Sequence, residues 1–123
     1  MARILIVDDD PFATELVARY LRPRGFAVQV AFSGADALTA IRETDFDLVI
    51  SDVRMPYGSG IDLLRELDHH PKHVPVILMS AGSKPAELQA KAAGAEAYLN
   101  KPLVKEDLER EIERLLGGPT REI

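Results

Sequence analysis

The sequence predicts an α/β protein, a parallel sheet covered by helices on both faces. Three observations carry this. Short apolar runs alternate with segments of helical period, the βαβα rhythm of such sheets, and five of these units can be counted. Several runs are continuously apolar, as strands buried on both faces should be. The chain of 123 residues suits one domain, since a domain takes roughly 100–200 residues.

The elements follow in order. Ile4 to Val7 reads as a buried strand. Asp10-Pro11 then supplies an N-cap residue and a proline at the first helical position. Ala13, Leu16, Val17, Tyr20 and Leu21 recur at i, i+3, i+4, i+7 and i+8, which predicts a first helix with this stripe as its apolar face. Ala27 to Phe32 is a weaker run, broken by Gln29, and suits an edge strand; Ser33 stands where a second helix should begin. Leu48 to Ile50 is the third strand, with Ser59 placed to start the third helix. Val76 to Met79 is the fourth strand. The fourth helix, about Pro85 to Ala93, has an inward face that is mostly alanine with Leu88 as its large apolar residue, so it should pack weakly. Ala97 to Leu99 is short and suits the other edge. Val104, Leu108, Ile112 and Leu115 mark a fifth helix. Residues 1–116 therefore read as one domain, and Gly117 to Ile123, breakers followed by polar residues, as a tail or linker stub.

Composition narrows the function. Fifteen Lys and Arg against twenty Asp and Glu give a net charge of −5, so no global positive field exists to hold a nucleic acid. There is no cysteine, hence no disulfide, thiolate metal site or thiol nucleophile, which suits a reducing compartment. Apolar runs of four or five residues are too short to span a bilayer, and no basic leader with an apolar core is visible. A cytoplasmic protein is expected.

In an open parallel sheet, ligands bind beyond the carboxyl ends of the strands. Asp8-Asp9-Asp10 follows the first run, Ser51-Asp52 ends the third, Ser80-Ala81-Gly82 ends the fourth, and Asn100-Lys101-Pro102 follows the fifth. Asp8 or Asp9 facing Asp52 is unfavourable unless a hard divalent cation lies between them, and Mg2+ suits a few carboxylates with an open side for phosphate oxygens. Lys101 can neutralise a phosphate oxygen and Ser80 can donate to another. A carboxylate can itself be the nucleophile, giving an acyl phosphate.

With these motifs in order, the chain resembles the receiver domain of two-component response regulators, the CheY-like group, from Arg3 to Leu116. The matching pieces are Ile-Leu-Ile-Val-Asp8-Asp9-Asp10, Ser51-Asp52-Val-Arg-Met55-Pro56 with Gly60, Val-Ile-Leu-Met-Ser80-Ala81, and Gly94-Ala95 leading to Tyr98-Leu-Asn-Lys101-Pro102. The resemblance implies a doubly wound, flavodoxin-like sheet of strand order 2-1-3-4-5 with five helices. It implies Asp52 as phosphoacceptor, Asp8 and Asp9 as the acidic pair holding Mg2+, and the backbone carbonyl of Arg54 as a further metal ligand. Ser80 takes the place of the switch hydroxyl, Ala81 keeps access to the phosphoryl group open, Lys101 pairs with it, and Tyr98 is the switching aromatic. Arg54 and Gly82 fall where the family tunes phosphoryl lifetime, and Lys101-Pro102 where it holds a cis peptide. The implied partners are a sensor histidine kinase or histidine phosphotransfer protein and a downstream effector or output domain. The implied state is a monomer or a weak phosphorylation-dependent dimer. The implied response is a change in the surface of the fourth helix, fifth strand and fifth helix.

Plainer readings stand beside these. Asp10 is a helix cap. His69, His70 and His73 precede the fourth strand, at the end of the sheet away from the carboxylates, and read as a solvated loop. The acidic fifth helix, Glu106, Glu109, Glu111 and Glu113 with Arg110 and Arg114, reads as a solvated face. Asp8-Asp9-Asp10 also spells the Asp-x-Asp of a haloacid-dehalogenase-type phosphohydrolase, in which Asp8 would be the nucleophile and Asp10 the acid. A flavin binder shares the architecture, but Asp-rich strand ends are wrong for a flavin phosphate, and no glycine-rich phosphate loop occurs.

Overall fold

The computed structural model describes residues 1–55, 58–69, 71, 73–80 and 91–117, without the side chains of 55, 58 and 59. Five parallel strands form one sheet: β1 (Arg3–Val7), β2 (Ala27–Ala31), β3 (Leu48–Asp52), β4 (Val76–Ser80) and β5 (Ala97–Asn100), in the order β2-β1-β3-β4-β5. The two weaker runs are the edges, as their composition predicts. The three central strands are almost wholly buried, because helices cover both faces.

The described residues contain four α-helices: α1 (Pro11–Leu21), α2 (Gly34–Glu43), α3 (Gly60–Asp68) and α4 (Lys105–Leu116). This differs from the expected five. The expected fourth helix, Pro85 to Ala93, lies mostly outside the described residues; within its described part, Lys91 and Ala92 are helical. Helix α4 is the expected fifth. A ribbon of Arg54–Met55 with Gly58–Ser59 connects β3 to α3.

Strand alternation sorts the core into two layers. Leu5, Val7, Val49 and Leu78 pack with Ala37, Ile41, Leu63, Leu64 and Leu67 of α2 and α3. On the other face Ile4, Ile6, Ile50, Ile77 and Met79 pack with Val17, Ala18 and Leu21 of α1 and Leu108 and Ile112 of α4.

Helix α1 begins as its sequence predicts: Asp10 is extended, its carboxylate accepts from the Phe12 N–H at 2.9 Å, and Pro11 opens the helix. Ser33 caps α2 by accepting from the Asp36 N–H at 3.1 Å. Helix α3 starts directly after Ser59. The inward stripe of α1 needs correction. Its buried residues are Thr14, Val17, Ala18 and Leu21, while Leu16 is 57% exposed. Thr14 is tolerated inside because its hydroxyl donates to the Pro11 carbonyl at 2.8 Å. Val104 is likewise 47% exposed, sitting at the N-cap of α4 rather than within it.

Candidate functional site

The carboxyl ends of β1, β3 and β5 bring three of the expected groups together. Beyond Val7, the Asp8 N–H continues the ladder to Ala31 O at 3.1 Å, so Asp8 sits at the end of the sheet, 1% exposed. Its Oδ1 accepts from the Asp10 N–H at 3.0 Å, which leaves Oδ2 for Lys101. Asp52 ends β3 in register with Met79 of β4 and is 9% exposed. The Lys101 N–H donates to Ser80 O at 2.9 Å, carrying the β4–β5 ladder one residue past Asn100. From there its ammonium reaches Asp52 Oδ2 at 2.9 Å and Asp8 Oδ2 at 3.2 Å. The Lys101-Pro102 peptide is cis.

Asp9, exposed, completes the cluster: Asp8, Asp9 and Asp52 each offer a carboxylate oxygen within 4.8 Å of the others. Three carboxylates against one ammonium leave an excess of negative charge that a hard divalent cation would offset. The donor set, all oxygen and partly open to solvent, suits Mg2+. Burial opposes the charge on Lys101, yet the hydrogen bonds and charges of Asp52 and Asp8 outweigh it and hold its pKa above the ordinary lysine value. The Arg54 N–H lies 3.4 Å from Asp52 Oδ1, a long contact at the start of the loop after β3.

The other expected groups have the opposite strand parity. Ser80, 3% exposed, ends β4 with the parity of Leu78. Tyr98 pairs with Leu78 in register and packs half-buried against the same layer. Its hydroxyl is buried and makes no hydrogen bond among the described residues. Ala81, Gly82 and Pro56 lie outside the described residues, as does His70. His69 and His73 are exposed before β4, away from the carboxylates.

Two features were not anticipated. Ser51 is fully buried, and its hydroxyl donates to the Asp52 carbonyl at 3.0 Å; its signal is a hydroxyl set directly between the apolar run and Asp52. The second is a groove of about 540 Å3 that runs from Asp8 and Lys101 between α1 and α4, walled by Phe12, Leu16, Tyr20 and Leu103. Phe12 is 73% exposed at its lip. Lys105 also lines it, and the cationic groups of Arg24 and Lys105 lie 4.4 and 5.1 Å from the Tyr20 ring centroid.

An acidic cluster with a bridging lysine at the strand ends of a β2-β1-β3-β4-β5 sheet defines a receiver-type phosphorylation domain. The family profile of the response regulator receiver domain matches residues 4–113, and the chain belongs to that family. Two-component signalling, an aspartyl phosphate and Mg2+ come with this membership. The transcriptional regulatory protein ZraR of Salmonella typhimurium is 41% identical over 120 residues, which are 97% of this chain and 27% of that protein. The chain thus spans about a quarter of that relative's length. The chemotaxis protein CheY-3 of Vibrio cholerae is 39% identical over 92% of this chain and 93% of its own length.

Among solved structures, a response regulator receiver domain protein from Clostridium thermocellum superposes with a TM-score of 0.88 at 32% identity, covering 95% of each chain. The response regulator TrrA of Thermotoga maritima, solved in complex with Mg2+-BeF, superposes with a TM-score of 0.84 at 33% identity, covering 94% of this chain and all of its own. The haloacid-dehalogenase reading is not favoured: the Asp10 carboxylate is occupied as the cap of α1.

Proposed function

We propose that this chain is the phosphoacceptor of a two-component pathway, taking a phosphoryl group onto Asp52 from a phosphohistidine of a sensor kinase or phosphotransfer protein. The observation that carries the reading is Lys101 Nζ held between Asp52 Oδ2 and Asp8 Oδ2 at 2.9 and 3.2 Å. An Asp52 carboxylate oxygen attacks phosphorus in line, the bond from the imidazole nitrogen breaks, and its electron pair leaves with the imidazole. Lys101 pairs with a phosphoryl oxygen as negative charge arrives. Asp8, Asp9 and Asp52, with the Arg54 carbonyl, are the residues that would hold Mg2+, which supplies electrostatic neutralisation of the transferred group. The domain catalyses its own phosphorylation and dephosphorylation, not the turnover of a separate substrate.

In this reading Ser80 moves toward the phosphoryl group and Tyr98 follows, since Ser80 and Tyr98 share a strand parity on the neighbouring strands β4 and β5 and the buried Tyr98 hydroxyl has no hydrogen bond among the described residues to hold it. The response reaches the face formed by the residues before β5, β5 itself and α4, where an effector or output domain would read it. The groove beside the site, with Phe12 and Leu16 exposed, suits the protein that delivers the phosphoryl group, because it opens next to Asp8 and Lys101. Residues 1–116 form the receiver unit, followed by a tail or linker stub, and the unit works in the cytoplasm as a monomer or a weak phosphorylation-dependent dimer.

Intact mass after incubation with acetyl phosphate and Mg2+ tests the reading. Wild type should gain one phosphate-sized increment, and Asp52→Ala none. An increment that persists in Asp52→Ala and disappears in Asp8→Asn would return the haloacid-dehalogenase alternative.

A further inference from the structure

We infer that Ser51 and Gly60 are positioning residues for the phosphorylation site, clamping the backbone of residues 52–54 from the sheet face opposite the carboxylates. The inference rests on Asp52 as acceptor. Gly60 is the first residue of α3 and is buried. A Cβ at this position would fall on the Asp52 carbonyl oxygen and within 2.8 Å of Leu78 Cδ2. Glycine is therefore required here for close approach: the start of α3 lies directly on the acceptor's peptide group, with no room for a methyl. The Gly60 N–H also donates to Val53 O at 2.8 Å, and the Val53 N–H donates to Met79 O at 2.9 Å.

Ser51 acts on the same peptide. Its register neighbours are Val7 and Leu78, both in the α2–α3 layer, so its hydroxyl is enclosed by apolar side chains and satisfied by the Asp52 carbonyl. A buried hydroxyl needs such a partner. Two successive peptides, 52–53 and 53–54, are thus held by Ser51, Met79 and Gly60, while the Asp52 side chain, of opposite parity, emerges toward Lys101. The same two peptides lead to the Arg54 carbonyl. Displacing them would move the Asp52 carboxylate and that carbonyl together, and a displacement of about 1 Å can cost on the order of a hundredfold in rate.

The test uses the full chain as Ser51→Ala, Gly60→Ala and Ile112→Val, the last a core change in the α1–α4 layer, across the sheet from the clamp. Three quantities are read: thermal unfolding, Mg2+ affinity from amide NMR titration of the unphosphorylated protein, and the rate of Asp52 phosphorylation by acetyl phosphate at saturating Mg2+. Gly60→Ala should weaken Mg2+ binding about tenfold or more and slow phosphorylation at least as much. Ser51→Ala should do the same to a smaller degree, with Ser51→Cys intermediate. Ile112→Val should lower the unfolding temperature and leave both site measurements within twofold. If Gly60→Ala does not fold, Ser51→Ala and Ser51→Cys carry the test. Folded Ser51 and Gly60 variants with wild-type Mg2+ affinity and rate overturn the clamp. So does an effect on the site no larger than an equally destabilising Ile112→Val produces. Failure of wild type itself to be phosphorylated at Asp52 would instead overturn the acceptor reading.

Discussion

At the scale of single residues, Lys101 shows how a half-buried cation is stabilised by what it bridges. Both of its carboxylate partners are more buried than it is, with side-chain exposures of 2% for Asp8 and 12% for Asp52 against 31% for Lys101. Its pKa is raised, so the sign of the pH effect is set. The stabilisation is fully present below the unfolded value near 10.5 and is lost as pH rises through the higher folded value. Urea midpoints of wild type and Lys101→Met should therefore differ by a constant amount at pH values below the unfolded lysine value and converge as pH rises through the raised folded value. A difference that widens in alkali would mean the ammonium is not held by these carboxylates. Phosphorylation of Lys101→Met from acetyl phosphate should fall by about tenfold or more, since a preorganised charge at the transferred group is removed.

At the scale of elements, α1 serves two ends. Its N-terminus is capped by Asp10, and replacing that cap should cost about 1 kcal/mol. Asp10→Ala should accordingly lower the urea midpoint yet still accept a phosphoryl group on Asp52, whereas an acid-catalysis role for Asp10 would abolish the chemistry. Further along, Leu16 and Phe12 stand one turn apart on the exposed side of the groove. Phe12→Asp with Leu16→Asp should leave folding and acetyl-phosphate labelling intact. Transfer should drop at least tenfold from whichever kinase in a purified panel phosphorylates wild type fastest; unchanged transfer would place the donor elsewhere. The exposure of Leu16 also shows where periodicity stops informing. Spacing alone marks Ala13, Leu16, Val17, Tyr20 and Leu21 as one stripe, but the sheet needs only part of that arc, and Thr14 and Ala18 fill the place between. A threonine that satisfies its own hydroxyl on the preceding turn leaves no hydrophobic signal in sequence.

For the whole molecule, what sequence carries is the set of groups that must face water or phosphate at strand ends: Asp8, Asp9, Asp52 and Lys101 stand out because polar residues end apolar runs. What it does not carry is how buried backbone is held, since neither the Ser51 hydroxyl on the Asp52 carbonyl nor the lack of space at Gly60 is visible until α3 is laid against β3. The two edge strands were readable for the same reason that the two core layers are separable: side chains alternate across a sheet that is apolar on both faces only at its centre. That separation has an energetic consequence. Leu64 lies in the layer beneath α2 and α3 and Leu108 in the layer beneath α4, with the sheet between them. Each truncation to alanine should cost about 2–5 kcal/mol, the range for a buried leucine. Because the residues share no cavity, the double variant should lose the sum to within about 0.5 kcal/mol. Chemical denaturation of the two single variants and the double variant, started from conditions in which all three are folded, measures this. A coupling above about 1 kcal/mol would mean that strain passes through the sheet, so that the site at its carboxyl end would sense packing on both faces as one body.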